Sequence, residues 1–173
     1  MIIGLEFGCG EDPRKPEFDG VDVRALPTVK YVCDAWDIHQ HVDAQTVDEI
    51  YSRHFFEHLT FHQGDITLQS WLSVLKPGGM VEMIVPNMLH HIEQWLHIDR
   101  QTTEVKRSGA SPSTYESEAI KGFWGGQRGD WDFHKSGYDL ELLKNTVTRM
   151  GYVDYTSIKS APKNLHVVFR KPL

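Results

Sequence analysis

Little in this sequence would place it outside the ordinary globular class. It has two cysteines in 173 residues, Cys9 and Cys33, too few for a disulfide framework. A reduced, cytoplasmic setting is therefore expected. No apolar run approaches the ~20 residues of a membrane helix. No basic segment leads into an apolar one near the start. Neither a membrane span nor a secretory signal is expected. Positive charge is in deficit, with 18 Lys and Arg against 24 Asp and Glu and a formal net charge of −6. Passive adhesion to nucleic acid or to an anionic membrane is disfavoured, although nucleic acid is not excluded. Lys106, Arg107, Lys121 and Arg128 share one stretch, but acids interleave with them, as on a solvated loop. There is no internal repeat and no low-complexity tract.

The chain is long enough for one domain that buries roughly 70% of its unfolded surface. Short apolar runs bounded by turn formers predict strands at 2–7, 20–23, 29–33, 47–52 and 80–85. Leu68, Trp71, Leu72 and Leu75 have helical spacing, with Asp65 as the expected N-cap and Lys76-Pro77-Gly78-Gly79 as the stop. Met88, Ile92 and Trp95 predict a further helix. A last helix is expected from about Tyr138 to Met150, opened by a capping box at 136–139 and closed by Gly151. Strands near 152–158 and 165–169 close the chain. The alternation predicts one α/β domain over 1–173, a Rossmann-like three-layer sandwich. Its sheet is mostly parallel, with an antiparallel C-terminal strand.

Residues 100–135 break this rhythm. They are rich in Ser, Thr, Gly and charge and carry Phe123, Trp124, Trp131 and Phe133. So long a connection predicts a lid or insert.

Ligands on such sheets bind beyond the carboxyl ends of the strands. There the sequence places Glu6-Phe7-Gly8-Cys9-Gly10, whose glycines permit positive φ and close backbone approach. No Gly-Lys-Ser/Thr follows, so this is not a Walker loop. Glu11-Asp12-Pro13 stands where a dinucleotide fingerprint has its third glycine. Asp22 ends the second strand, where a carboxylate can accept hydrogen bonds from a ribose diol. Asp34 ends the third and can accept from an exocyclic amine, and Trp36 beside it offers a face for a flat base.

These segments, together with 47–59 and Val-Leu-Lys-Pro-Gly-Gly-Met-Val-Glu-Met-Ile-Val-Pro-Asn at 74–87, resemble the class I S-adenosylmethionine-dependent methyltransferases. The likeness covers about residues 3–87 and is closest to compact members with a short link between the first two strands. It implies S-adenosylmethionine as cofactor. Glu6, Phe7, Gly8, Cys9 and Gly10 would face its methionine part. Asp22 and Val23 would hold the ribose, and Asp34, Ala35 and Trp36 the adenine. Ser52, Arg53 and His54 would lie near the sulfonium. His54 and His134 are the candidate bases. The chain departs from the family in the short link from Gly10 to Gly20, and in lacking the Asn/Asp-Pro-Pro-Tyr/Phe motif of amino methylation on bases. The acceptor is unidentified, with a small molecule or glycan favoured by the acidic charge. Oligomeric state is not legible.

Two other readings fit parts of the sequence. His54-Phe55-Phe56-Glu57-His58 fits H-x-x-E-H, the pattern of a zinc-dependent hydrolase, and a third ligand would have to come from His62, His90, His91 or His134. Five residues arise by chance more easily than four ordered segments, so no metal is assigned. A non-catalytic S-adenosylmethionine-binding module would keep Gly8, Gly10 and Asp22 without acceptor chemistry.

Overall fold

The computed structural model describes residues 3–96, 104–105, 113–159 and 161–173. The elements in chain order are β1 (Gly4–Phe7), β2 (Asp19–Asp22), β3 (Val29–Val32), β4 (Val47–Arg53), α1 (Phe61–Val74), β5 (Leu75–Pro86) and α2 (Met88–Leu96). Then come β6 (Glu104–Val105), β7 (Ser113–Thr114), α3 (Tyr115–Trp124), α4 (Leu140–Arg149), β8 (Val153–Ile158) and β9 (Asn164–Arg170). Short 3₁₀ helices lie at Ala35–Gln40, Phe56–His58 and Asp130–Asp132.

Seven strands form one sheet in the order β3-β2-β1-β4-β5-β9-β8, and β6 pairs with β7 apart from it. From β3 to β5 all neighbours are parallel, and β9 runs antiparallel to both β5 and β8. The chain winds outward from β1 to β3, then crosses to β4 on the other side of β1. The topological switch point thus lies between β1 and β4, where α/β sheets bind ligands.

Leu5 and Phe7 of β1, Ile50 of β4 and Met83 of β5 point to one face, where Trp71, Leu68 and Val147 meet them in the core. The helices of that face are joined by specific contacts. His39 Nδ1 lies 3.1 Å from Ser70 Oγ, and Arg149 pairs with Asp65 at 2.9 Å. Asp65 therefore ties α1 to α4 and does not cap α1. The cap is Thr60, one turn earlier. Its hydroxyl accepts from Gln63 N at 3.2 Å, and the Gln63 side chain accepts from Thr60 N at 2.9 Å. Two helix-end donors are satisfied reciprocally there, which sets the start. α4 begins at Leu140 with Asp139 alone as its cap. Lys76-Pro77-Gly78-Gly79 stops α1 as expected and already belongs to β5.

On the opposite face Glu6, Tyr51 and Glu82 stand side by side in register. The links after β1 and β2 are too short for helices. The outer layer over β1 and β4 is therefore the loop 8–18. Glu6 accepts from the backbone N–H groups of Arg14 and Lys15 at 2.9 and 2.8 Å, and Lys15 pairs with Glu49 and Glu82. Among the described residues no helix is long and apolar enough to cross a membrane.

Candidate active site

A cavity of about 510 Å³ opens at the carboxyl ends of β1 to β4. Its floor is Phe7 and Gly8 from β1 and its turn. Its sides are Asp22 and Val23, then Asp34, Ala35 and Trp36, then His54. The last wall comes from far along the chain, from Arg128, Trp131 and Lys135.

Gly8 makes this floor possible. Its φ is +66°, a region that costs an L-residue strain. A Cβ there would lie 2.7 Å from Phe55 Cβ, so only glycine lets β1 turn under the Phe55 ring. Gly10 shares the left-handed conformation and donates its N–H to Asp22 Oδ2 at 3.1 Å. Asp22 is buried, and Arg24 closes on it. Arg24 Nε reaches Oδ1 and an Nη reaches Oδ2, both at 3.0 Å, and Arg24 N donates to Oδ1 at 3.0 Å. Burial alone would push the Asp22 carboxyl up. The bonds from Arg24 and Gly10, with the guanidinium charge, outweigh burial and hold it below the usual carboxylate range. The Arg24 guanidinium in turn stacks 4.3 Å from the Trp131 ring centre.

His54 follows β4 with φ +49°, an uncommon conformation for a side-chain-bearing residue. Its Nδ1 lies 3.2 Å from Oε1 of Glu57, which is 1% exposed. A second cavity of about 590 Å³ begins at this point and is lined by Glu57, His91, Lys121, His134, Lys163 and Asn164. His54, His58, Arg128 and Asp132 border both cavities. His134 is held by Gly122 O, 2.9 Å from its Nδ1. Burial lowers the His134 pKa, and the Glu57 charge and the Gly122 bond only partly offset this.

No family model matches the chain, and no curated protein matches it. Solved structures do. An S-adenosylmethionine-dependent methyltransferase from Archaeoglobus fulgidus superposes with a TM-score of 0.65 at 15% identity, over 98% of this chain and 86% of that one. The Burkholderia thailandensis 1,6-didemethyltoxoflavin-N1-methyltransferase, solved with 1,6-didemethyltoxoflavin and S-adenosylhomocysteine bound, gives 0.61 at 12% identity, over 99% and 71%. The CurJ carbon methyltransferase gives 0.63 at 15%, and there the chain spans about half the length, 49%. The chain has the class I methyltransferase fold.

On this methyltransferase fold the residues singled out from the sequence fall into three groups. Phe7, Gly8, Asp22, Val23, Asp34, Ala35, Trp36 and His54 line the first cavity. Glu6, Cys9, Gly10, Ser52 and Arg53 do not line it. Glu6 staples the loop 8–18 from the opposite face, Cys9 and Ser52 are buried, and Gly10 acts through Asp22. His134 lines the second cavity only. Sequence reasoning passed over Arg24, although it stands two residues beyond the flagged Asp22. It also gave Arg128 no role beyond a solvated loop.

Cys33 lines the first cavity. Burial, reinforced by Asp37 and Asp34, pushes its thiol up to about 11. It is therefore a thiol at pH 8. Lost thiolate outweighs the gain in nucleophilicity, so iodoacetamide should label it roughly ten- to thirtyfold more slowly than a free cysteine. The rate should climb as pH approaches 11. Mass spectrometry of the Cys33 peptide reads this, and labelling as fast as a free thiol would refute the assigned environment.

Proposed function

We propose that the chain is an S-adenosylmethionine-dependent methyltransferase whose acceptor is a small molecule or glycan. One observation carries the reading. A glycine turn after β1, a buried carboxylate after β2, an acid and an indole after β3, and an imidazole after β4 converge on a single cavity of about 510 Å³. Cavities of that size suit a small-molecule cofactor.

In this reading the two Asp22 oxygens accept the ribose diol, Asp34 accepts from the adenine amine and Trp36 lies along the base. Gly8 lets the methionine part approach the backbone. The sulfonium carries the reactive methyl. The acceptor would enter through the second cavity, and bound S-adenosylmethionine would supply the methyl group to its lone pair and leave as S-adenosylhomocysteine. A hydroxyl or protonated amine must also lose a proton, and His54 is placed to take it. Glu57 fixes the orientation of His54 from behind, as an acid steadies a basic imidazole. The helical H-x-x-E-H geometry of a zinc hydrolase finds no counterpart here, because His54 precedes a three-residue 3₁₀ helix.

The segment 125–135 acts as the lid. Trp131 and Lys135 wall the first cavity, and the part of the expected lid at 100–103 and 106–112 lies outside the described residues. Closure would keep water from the transferring methyl. Calorimetry with S-adenosylhomocysteine tests the whole reading. Saturable binding is expected, and hydrogen exchange over 125–135 should slow when the cavity is filled. Absence of heat and of any thermal shift at millimolar ligand would end the methyltransferase assignment. Unchanged exchange with bound ligand would end the lid alone.

A further inference from the structure

Glu57 is buried with an oxygen to spare. Its Oε1 meets His54, but Oε2 has no hydrogen-bond partner. Leaving a charged oxygen buried and unpaired is costly unless something cationic or protic reaches it. Two imidazoles flank it. His58 Nδ1 lies 3.0 Å from Phe133 O, and His134 Nδ1 lies 2.9 Å from Gly122 O. A carbonyl only accepts, so both Nδ1 atoms carry the proton. In the neutral rings each Nε2 then presents a lone pair. His134 Nε2 faces Glu57 Oε1 at 3.9 Å. These are two electron-pair donors looking at each other across a gap too long for a hydrogen bond. One donor atom each from Glu57, His58 and His134 lies within 4.8 Å of the other two.

We propose that Glu57, His58 and His134 form a binding site for a divalent transition-metal ion of the zinc or cobalt class, set where the two cavities meet. Two imidazoles and one carboxylate are a sufficient donor set for such an ion and leave coordination positions open. Bonds of ~2.1 Å in a tetrahedral site put donors about 3.4 Å apart, so the measured pair needs to close by only roughly half an ångström. Both histidines already have the outer support that metal-ligating imidazoles use, an Nδ1–H held by a backbone carbonyl. Of the two histidine ligands of the H-x-x-E-H pattern only His58 is shared. His54 is the hydrogen-bond partner of Glu57, and the third ligand comes from just before α4. The three donors lie beside the seam bordered by His54, Arg128 and Asp132. There the ion would hold an oxygen of the acceptor and favour its ionised form. That last role rests on the methyltransferase reading, whereas the binding of the ion does not.

The test uses untagged full-length protein, freed of metal with a chelator and titrated with Co²⁺ and Zn²⁺ by calorimetry and, for Co²⁺, by visible absorption. One ion per chain is expected. Glu57→Gln and His134→Ala should each weaken it by about a hundredfold or more, while His62→Ala, an exposed histidine outside both cavities, should leave it unchanged. Thermal melting shows whether each variant is folded. If Glu57→Gln is not, His58→Ala takes its place. No saturable ion, or an ion equally tight in the folded Glu57 and His134 variants, would overturn the site. S-adenosylhomocysteine binding to the metal-free protein keeps the two proposals apart. If it binds while no ion does, the methyltransferase reading stands alone. If an ion binds and the nucleoside does not, only the metal site survives.

Discussion

Trp71→Ala should cost about 3–5 kcal/mol of folding stability, the largest loss expected from any single truncation in this chain. Trp71 has no exposed surface and lies at the centre of the face that α1 turns to the sheet. Its ring centre is 4.6 Å from Phe7 and 6.1 Å from Phe56. Truncation leaves a hole that three elements cannot close together, since β1 is fixed by pairing on both edges. For a domain of this size the loss corresponds to a melting-point drop of about 6–20 °C. Trp71→Phe should cost distinctly less. It keeps most of the ring volume, and it removes an indole N–H that has no hydrogen-bond partner. Urea melts of the two variants give the comparison. A loss below about 1 kcal/mol for Trp71→Ala would place the residue outside the core.

The same residue explains why the fold was legible. Trp71, Leu68 and Leu72 carry the helical period, and a large apolar residue at that spacing leaves few alternatives to an amphipathic helix. The strands were legible because parallel strands are short and apolar and stop at glycine, proline or acid, as at Phe7–Gly8 and Pro86–Asn87. Helix starts were less legible. Asp65 and Thr60 are both good caps in isolation, and only the reciprocal bond with Gln63 against the long-range pair with Arg149 decides between them. Propensity is local, whereas that choice is tertiary.

The site was half legible for a related reason. Residues at strand ends are placed by the sheet, so Asp22, Asp34 and His54 could be located once the strands were known. Glu6 could not, because successive residues on a strand face opposite sides, and whether Glu6 or Phe7 meets the cavity depends on the face that the helices take. The far wall was hidden for lack of any periodic signal. Arg128, Trp131 and Lys135 lie in a segment whose path is set by long-range contacts of Trp131 with Arg24 and of Lys135 N with Glu57 O, and by the local pair of Arg128 with Asp132.

Asp22→Ala should weaken S-adenosylhomocysteine binding by about 2–4 kcal/mol, roughly thirty- to a thousandfold in Kd. The size of the loss depends on what Asp22 already does. A carboxylate offers about four acceptor sites, and all four are taken, by the N–H groups of Gly10 and Arg24 and by two nitrogens of the Arg24 side chain. A ribose diol needs two of them. The backbone donors are fixed by the turn, so the long, partly exposed Arg24 side chain is the partner that must leave. Ligand binding therefore exchanges one pair of hydrogen bonds for another. Arg24→Ala should bind the nucleoside at least as tightly as the wild type, because it removes the competitor and leaves the backbone cradle intact. Together the two variants separate ribose recognition from loop anchoring. If Asp22 served only to hold Gly10 and the turn, Asp22→Ala would melt early, and its affinity would recover at a temperature where it is fully folded. If Asp22 recognises the ribose, the folded variant stays weak while Arg24→Ala stays strong. An Asp22→Ala protein that melts normally and binds as well as the wild type would reduce Asp22 to a turn residue and take the ribose assignment with it.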